Sequence, residues 1–205
     1  MPQIDDYDLP NNERPDLTPY LIHLTKGNDK HTGFEILQRI LRGGVITGTD
    51  SYIKGNREAA CFMDIPFASL KYVCSENNKR RYEPYGVIVK KTTAYDRGAR
   101  PVLYLSSSEC QDMGITKSKC PNDLWRVVSL KGSNKRGIWG VNWMHEREWR
   151  CPDEFELPSE VLAVLVKSSS EAEELSHKIA RRPSQYKCRP KTVIPLNIIC
   201  QGLVY

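Results

Sequence analysis

The sequence predicts an α+β protein in which a single mixed-sheet domain, residues 17–205, carries a few flanking helices. Apolar and β-branched runs of strand length recur along the chain, and helical apolar stripes separate only some of them. The chain has neither an internal repeat nor a heptad pattern. Its 205 residues are enough to bury one core of ordinary size. The acidic, proline-containing residues 1–16 predict a flexible lead-in.

A strand and a capped helix open the predicted domain. The apolar stretch "PYLIHLTKG", residues 19–27, has the length of a buried strand that ends in a turn. The next segment places four apolar side chains on one helical stripe: Phe34, Leu37, Ile40 and Leu41. Thr32 is suited to cap this helix because Glu35 follows three residues later, and the Gly43-Gly44 pair predicts its end.

The remaining elements are mostly strands. The segment 59–74 begins as a strand and becomes helical after Pro66, since proline suits the first turn of a helix. Further strands are predicted at 85–91, 101–107, 141–150, 160–168 and the C-terminal tail, with a short element at 123–130. Residues 108–122 predict a loop, and residues 169–180 predict a helix with a serine cap and an acidic first turn.

The stretch "VNWMHEREWRCP", Val141–Pro152, concentrates ionisable residues between tryptophans. If it is a strand, its side chains alternate between two faces. One face then carries Glu146, Glu148 and Arg150, and the other carries His145 and Arg147 with Trp143 and Trp149. Two interpretations follow: cross-strand ion pairs on a surface, or carboxylates directed into a reaction site.

Composition and cysteine usage indicate the class of protein. A hydrophobic content of 40% and a charged content of 27% are typical of soluble proteins, and no apolar run approaches the ~20 residues of a membrane span. The seven cysteines form no CxxC pair and no cluster at zinc spacing, which predicts reduced thiols and no metal site. The N-terminal residues resemble neither a signal peptide nor a transit peptide, so we expect a cytoplasmic location.

The positive charge is unevenly distributed along the chain. The net charge is +5, and three basic clusters lie at residues 77–82, 131–137 and 178–191. Acidic residues gather instead at the N-terminus and at 153–174. This distribution predicts attraction of an anionic partner such as nucleic acid through the basic loops, although such loops are often simply solvated.

Several common site motifs are missing from the sequence. It contains no GxxxxGK[ST], GxGxxG, GxSxG or HExxH motif, which argues against the usual nucleotide-binding, hydrolase and zinc-protease sites. No compact set of carboxylates lies beside a lysine, which argues against a metal-dependent nuclease. What remains is an ordered series of blocks: His23 and Thr25 on the first strand, a helix ending in Gly-Gly, "CFMDIPF" and "HEREWR".

These blocks resemble ADP-ribosyltransferase-fold proteins of the DarT type. "LIHLTKG" and "FEILQRILRGGVI" resemble that family's opening strand and helix, and "AACFMDIPFASL" resembles its middle strand. "HEREWR" and the later "LPSEVLAVLVKSSSEAEEL" resemble its closing, Glu-bearing part. The same blocks resemble a bacterial family associated with abortive phage infection, which carries a His-Glu-x-Glu-Trp-Arg stretch. The chain departs from the DarT pattern in lacking its long arginine-containing insert.

The resemblance implies a site that uses NAD as a substrate. ADP-ribosyl transfer passes through an oxocarbenium-like state, which needs a polar group on the nicotinamide ribose and a carboxylate near its 2′-hydroxyl. The resemblance gives the first role to His23, with Thr25 beside it, and the second to Glu148. Glu146 would orient the acceptor nucleophile or act as its base. The loop before the second block supplies two further implied contacts: Tyr52 as a stacking face and Arg57 for the phosphates.

Two hypotheses of different class remain open. The first is an NAD-dependent ADP-ribosyltransferase of a bacterial or phage conflict system, in anti-phage defence or as a toxin with an antitoxin, which modifies nucleic acid or protein. The second is a non-catalytic, defence-associated module or antitoxin that binds a nucleotide or nucleic acid. The first requires His23 and Glu148 to converge on one cleft. The second predicts that they lie apart or are paired with structural partners.

Overall fold

The computed structural model describes residues 17–75, 81–130 and 143–201. The predicted lead-in 1–16 and the basic segment 131–137 lie outside these residues, as do positions 77–80 of the first basic cluster. Within the described residues, strands and helices follow one another in no regular order, and the strands pair both parallel and antiparallel. The predicted α+β class is therefore confirmed.

The described chain consists of short strands and a smaller number of helices. The strands are β1 (Tyr20–Thr25), β2 (Val45–Thr47), β3 (Ala59–Phe62), β4 (Tyr85–Lys90), β5 (Arg100–Pro101), β6 (Leu103–Ser106), β7 (Val127–Leu130), β8 (Trp149–Pro152), β9 (Glu154–Glu156), β10 (Glu160–Val166) and β11 (Arg189–Pro195). The helices are α1 (Gly33–Gly43), α2 (Leu70–Val73), α3 (Lys91–Asp96), α4 (Ser107–Asp112), α5 (Ser169–Arg181) and α6 (Leu196–Ile199).

A four-stranded sheet with the order β1-β4-β10-β11 forms the centre of the fold. Strand β4 pairs antiparallel with β1 and with β10, and β10 pairs parallel with β11. The middle strands are apolar on both faces, as strands covered on both sides must be. Helices α1 and α5 cover one face, and α2 and α6 contribute to the core on the other.

Helix α1 forms where its local signals predict it. Thr32 and Glu35 make a reciprocal capping box, and Gly44 ends the helix in the left-handed conformation with φ 69°. The buried side of the helix presents Leu37 and Leu41 to the central sheet. Helix α5 starts with a second capping box: the Ser168 side chain accepts from Glu171 N–H, and the Glu171 side chain accepts from Ser168 N–H. The predicted serine cap is therefore confirmed.

A second sheet with the order β3-β8-β5 meets the central sheet edge to edge. Backbone hydrogen bonds between Ile22 and Met63, 2.9 and 2.8 Å long, join the end of β3 to β1. The β3–β8 register places Cys61 opposite Arg150 and Phe62 opposite Trp149. Since side chains alternate along a strand, Phe62 enters the core while Cys61 and Arg150 share the other face.

The predicted strand 141–150 is wrong for most of its described length. Residues Trp143–Glu146 form a turn of 3-10 helix, Arg147 has a left-handed φ of 43°, and the strand begins only at Trp149. The physical reason is tertiary: Asp64 N–H donates to Glu146 O over 3.0 Å, and Arg147 Nε donates to Asp64 O over 2.7 Å. These contacts with Asp64 stabilise a turn that the pattern of side chains along residues 141–150 does not predict.

The predicted loop 108–122 is also wrong at its start, because residues Ser107–Asp112 form α4. Ser106 accepts a hydrogen bond from Glu109 N–H over 3.2 Å, and the Glu109 side chain accepts from Ser106 N–H over 2.7 Å. This is the same capping box that starts α1, so the signal was present in the sequence as Ser-x-x-Glu.

Gly86, in the middle of β4, gives a test of the strand packing. A Cβ added there would lie 2.5 Å from His23 O, so Gly86→Ala should force β1 and β4 apart and destabilise the protein by about 1–3 kcal/mol. Gly43→Ala is the control, because its added Cβ would lie 3.7 Å from Val45 Cγ1 in ordinary contact. Urea denaturation measures both variants, and equal stabilities would contradict this packing.

Candidate functional site

The candidate site lies where β1, β3 and β8 meet, and His23 is its contribution from β1. The ring is half-buried, and Nδ1 donates a hydrogen bond of 2.8 Å to the carbonyl oxygen of Cys61. The ring also packs edge-on against Phe62, with centroids 5.9 Å apart. These two contacts fix the orientation of the imidazole.

The protonation of His23 follows from its surroundings. Burial lowers the pKa of His23, and the hydrogen bond to Cys61 O opposes this only in part. The ring is therefore neutral at neutral pH, with its hydrogen on Nδ1. Nε2 is then a hydrogen-bond acceptor, and within the described part of the chain it has no hydrogen-bond partner.

Glu148 is held by Arg150, two residues later. Arg150 Nε donates to Glu148 Oε1 over 2.8 Å, and Nη2 donates to Oε2 over 3.2 Å, so the pair is bidentate. The Arg150 side chain is 3% exposed and that of Glu148 is 12% exposed. Arg150 also donates to Trp125 O over 3.4 Å, which anchors the guanidinium on its far side. The carboxylate thus has a fixed position immediately before β8.

Cys61 connects these two parts of the site. Its carbonyl accepts from His23, and its thiol lies beside the carboxylate of Glu148. Burial, followed by the charge of Glu148, raises the pKa of Cys61, so this thiol is protonated and unreactive at neutral pH. His23 and Glu148, distant in sequence, therefore contact one and the same residue.

Glu146 is buried like Glu148, with side-chain exposures of 9% and 12%. Its residue exposure is 7%, and Oε1 accepts a short hydrogen bond from the Tyr82 hydroxyl. Arg81 Nη2 lies 3.6 Å and His145 Nε2 lies 3.8 Å from the same oxygen. Burial nevertheless raises the pKa of Glu146, because the loss of hydration outweighs these favourable contacts.

Asp64 supports the turn that carries Glu146 and precedes Glu148. Lys91 Nζ lies 2.9 Å from Asp64 Oδ2, and Arg147 Nη2 lies 4.0 Å from Oδ1. Together with the backbone contacts of Asp64, these ion pairs hold Arg147 in its left-handed conformation. A cavity of about 450 Å³ adjoins this turn, with His145 and Arg147 in its wall. The turn thus borders space large enough for part of a ligand.

The other predicted contacts lie further from this centre. Thr25 is half-buried at the end of β1, opposite Tyr85. Tyr52 is 86% exposed with a φ of 62°, and Arg57 is exposed in the same loop between β2 and β3. Neither Tyr52 nor Arg57 makes a hydrogen bond or ion pair with His23 or Glu148 in the described part of the chain. The loop itself approaches the site, because Lys54 N–H donates to Trp125 O, the acceptor that Arg150 also uses.

Sequence reasoning missed four residues of the site: Cys61, Tyr82, Tyr104 and Arg150. Burial raises the pKa of Tyr104, which lies against the backbone of Glu148. Only Arg150 had a sequence signal, since it is two residues from Glu148 in a predicted strand. Among the described residues, no group of three or more His, Cys, Asp or Glu side chains is placed to hold a metal ion. Nor does any described helix combine the length and apolar character of a membrane span.

Comparisons with known proteins identify similar structures of DarT from Thermus sp. 2.9. Its complex with NAD+ has a TM-score of 0.49 and 13% sequence identity, covering 91% of this chain and 98% of that one. The complex with carba-NAD+ has a TM-score of 0.47 and 14% identity over the same shares, and that with ADP-ribosylated ssDNA has 0.46 and 14%, over 86% and 93%. No protein-family model and no curated protein matches the sequence.

The raised pKa of Glu146 predicts a pH-dependent effect of Glu146→Gln. The folded protein binds the proton of Glu146 more tightly than the unfolded chain does. The contribution of this proton to the free energy of unfolding is therefore fully present below pH ~4, and it is lost as the pH rises through the pKa of the folded state. Glutamine mimics the protonated form and still accepts from Tyr82. The variant should therefore gain stability over the wild type as the pH rises toward neutrality.

Thermal unfolding at several pH values measures this difference. Glu173→Gln, at an exposed position of α5, is the matched control and should show no such trend. A constant difference between Glu146→Gln and the wild type from pH 4 to pH 7 would contradict the buried carboxylate.

Removal of Arg150 tests the pair that holds Glu148. Arg150→Met leaves a largely buried carboxylate without its partner and should destabilise the protein by about 3 kcal/mol. Glu148→Gln should cost less in the Arg150→Met background than in the wild type, because the unpaired charge is then removed. A double-mutant cycle in urea measures this coupling, and additive effects would show that the two side chains are independent.

Proposed function

We propose that this protein is an NAD-dependent ADP-ribosyltransferase whose site contains His23 and Glu148. The observation that carries the proposal is the convergence of both side chains on Cys61. The catalytic hypothesis requires the two side chains to converge on one cleft, and their shared contact with Cys61 supports this. The resemblance of the sequence blocks to the DarT type names the same two residues.

The chemistry of the two side chains matches the reaction. The bond between the nicotinamide nitrogen and ribose C1′ breaks, nicotinamide leaves with the electron pair, and positive charge develops on the ribose. The Glu148 carboxylate, held in place by Arg150, stabilises that charge and accepts a hydrogen bond from the 2′-hydroxyl. Arg150 uses one lone pair on each oxygen, which leaves further acceptor sites. Neutral His23 accepts from a ribose hydroxyl through Nε2.

Glu146 acts on the acceptor in this proposal. The attacking nucleophile forms a bond to C1′ and loses a proton, which a base must take up. Because burial raises the pKa of Glu146, its carboxylate is a stronger base than an exposed one. Tyr82 donates to this carboxylate and holds it in position. We therefore assign Glu146 to orient the acceptor or to receive its proton.

The remaining NAD contacts come from the loop between β2 and β3. Tyr52, largely exposed, is free of the core and offers a ring face for stacking. Arg57 is exposed in the same loop and suits the phosphates. Thr25, at the end of β1, lies two residues from His23, on the side of the strand that faces the ribose. These three assignments follow the sequence resemblance.

We place the protein in the cytoplasm and in a bacterial or phage conflict system. The blocks shared with the abortive-infection family and the DarT type support this context, in phage defence or as a toxin with an antitoxin partner. The basic clusters favour nucleic acid over protein as the acceptor.

A second candidate function is a non-catalytic module that binds NAD or another nucleotide. The observation in its favour is the bidentate pair between Glu148 and Arg150, since a carboxylate in such a pair has a structural partner. In this case the site would hold the ligand without breaking its glycosidic bond.

Turnover of labelled NAD distinguishes the two functions. Purified protein is incubated with NAD and with single-stranded DNA, RNA or cell lysate, and nicotinamide release and label transfer are followed. Glu148→Gln should reduce release about 100-fold or more, since it removes a charge that stabilises the transition state. His23→Gln should reduce release and weaken NAD binding.

The matched controls are Glu173→Gln and His177→Gln, both at exposed positions of α5. These variants should retain wild-type turnover. Tight NAD binding without turnover in any mixture would favour the binding module, and Glu148→Gln with wild-type turnover would contradict the catalytic assignment.

A further inference from the structure

A basic groove lies between α1 and α5, away from the residues of the candidate site. Its cavity measures about 310 Å³, and its wall consists of His31, Glu35, Gln38, Arg39, Arg42 and Lys178. None of these residues takes part in the proposed transfer chemistry. The groove therefore requires its own explanation.

Contacts within the protein position the three cations of the groove. Lys178 Nζ donates to Gln38 Oε1 over 3.3 Å, which links α5 to α1. Arg39 Nη1 donates to His31 Nε2 over 2.6 Å. The Arg42 guanidinium lies 5.3 Å from the ring centroid of Tyr186, a buried residue. The cations are thus held in place before any ligand arrives.

The groove has an excess of positive charge. Its wall contains three permanent cations and one carboxylate, that of Glu35. Hydrogen bonds from Thr32 lower the pKa of Glu35, and its Oε2 is already bound to Thr32 N–H over 2.8 Å. Lys178 also pairs with Glu174 over 2.5 Å, but both side chains are about half exposed, and such pairs exchange readily for a stronger anion.

Further cations lie near the groove. Arg181 follows Lys178 by three residues within α5, so it lies on the same side of the helix, and Arg182 is the residue directly after the helix. Lys187 lies beside the end of α1, where a Cβ on Gly44 would be 2.9 Å from Lys187 Cβ. All three are exposed. Together with the three cations of the wall, these residues exceed what a single phosphate can pair with, so the set suits a polymer of phosphates.

We propose that this groove binds the phosphodiester backbone of a single-stranded nucleic acid. A concave groove between two helices admits one strand, and cations along it track a backbone without reading its bases. The proposal does not depend on the transfer reaction, because binding through the groove requires neither NAD nor His23 and Glu148.

Salt-dependent binding of a fluorescent oligothymidylate, measured by anisotropy, tests the groove. The test variant is Arg39→Gln/Arg42→Gln/Lys178→Gln. The control is Lys90→Gln/Lys167→Gln/Lys191→Gln, which removes the same charge from exposed positions outside the groove wall. Each phosphate contact on a single strand contributes about 0.7 to the slope of log affinity against log salt. The test variant should therefore lose about 2 units of slope, and the control should keep the wild-type slope.

Circular dichroism melting first establishes that both triple variants are folded, as expected for exposed substitutions. Equal losses of slope in the two variants would show that the effect depends only on the net charge of the protein, which would overturn the proposed binding in the groove. No oligothymidylate binding by the wild type would also overturn it. If inorganic phosphate displaces the oligothymidylate at constant ionic strength, the ligand of the groove is a small anion and not a nucleic-acid strand, which would also overturn the proposal.

Discussion

The rest of the structure depends on the two backbone hydrogen bonds between Ile22 and Met63. They join the edge of the central sheet to the second sheet, and no other described backbone pair connects β1 with β3. Because this bridge fixes the two strands side by side, the residue after Ile22 meets the carbonyl of Cys61. The β3–β8 register then places Arg150 across from Cys61 and brings Glu148 to its thiol. The Ile22–Met63 bridge and the β3–β8 register together determine which side chains face one another in the site.

The second constraint is that the buried carboxylates need partners, and each of them has at least one. Arg150 neutralises Glu148, Lys91 and Arg147 surround Asp64, and Glu146 has the Tyr82 hydroxyl. Such pairs contribute little net stability, because desolvation offsets their attraction, but the loss of one partner is costly. Their value here is positional. They hold two carboxylates two residues apart with different partners: Arg150 for Glu148, and the Tyr82 hydroxyl for Glu146, whose pKa burial raises.

The sequence predicted the elements that local signals determine and failed where distant contacts decide. Capping residues and apolar stripes predict α1 and α5, and β-branched runs predict β4 and β10. The turn at Trp143–Glu146 escaped prediction, because Asp64, far away in sequence, holds it. His23 and Glu148 were singled out through their blocks, yet their meeting at Cys61 depends on strand register, which one sequence does not reveal. The pairing of Glu148 with Arg150 was foreseeable only in part, from their spacing.

A crystal structure of the protein with a non-hydrolysable NAD analogue tests directly whether His23 and Glu148 form an NAD site. We expect the nicotinamide ribose to lie between His23 and Glu148, with hydroxyls about 3 Å from His23 Nε2 and from the Glu148 carboxylate. Glu148 should keep its bond to Arg150 while it binds the ribose. An analogue bound elsewhere, or a ribose out of reach of both side chains, would contradict the claim that these two residues form an NAD site.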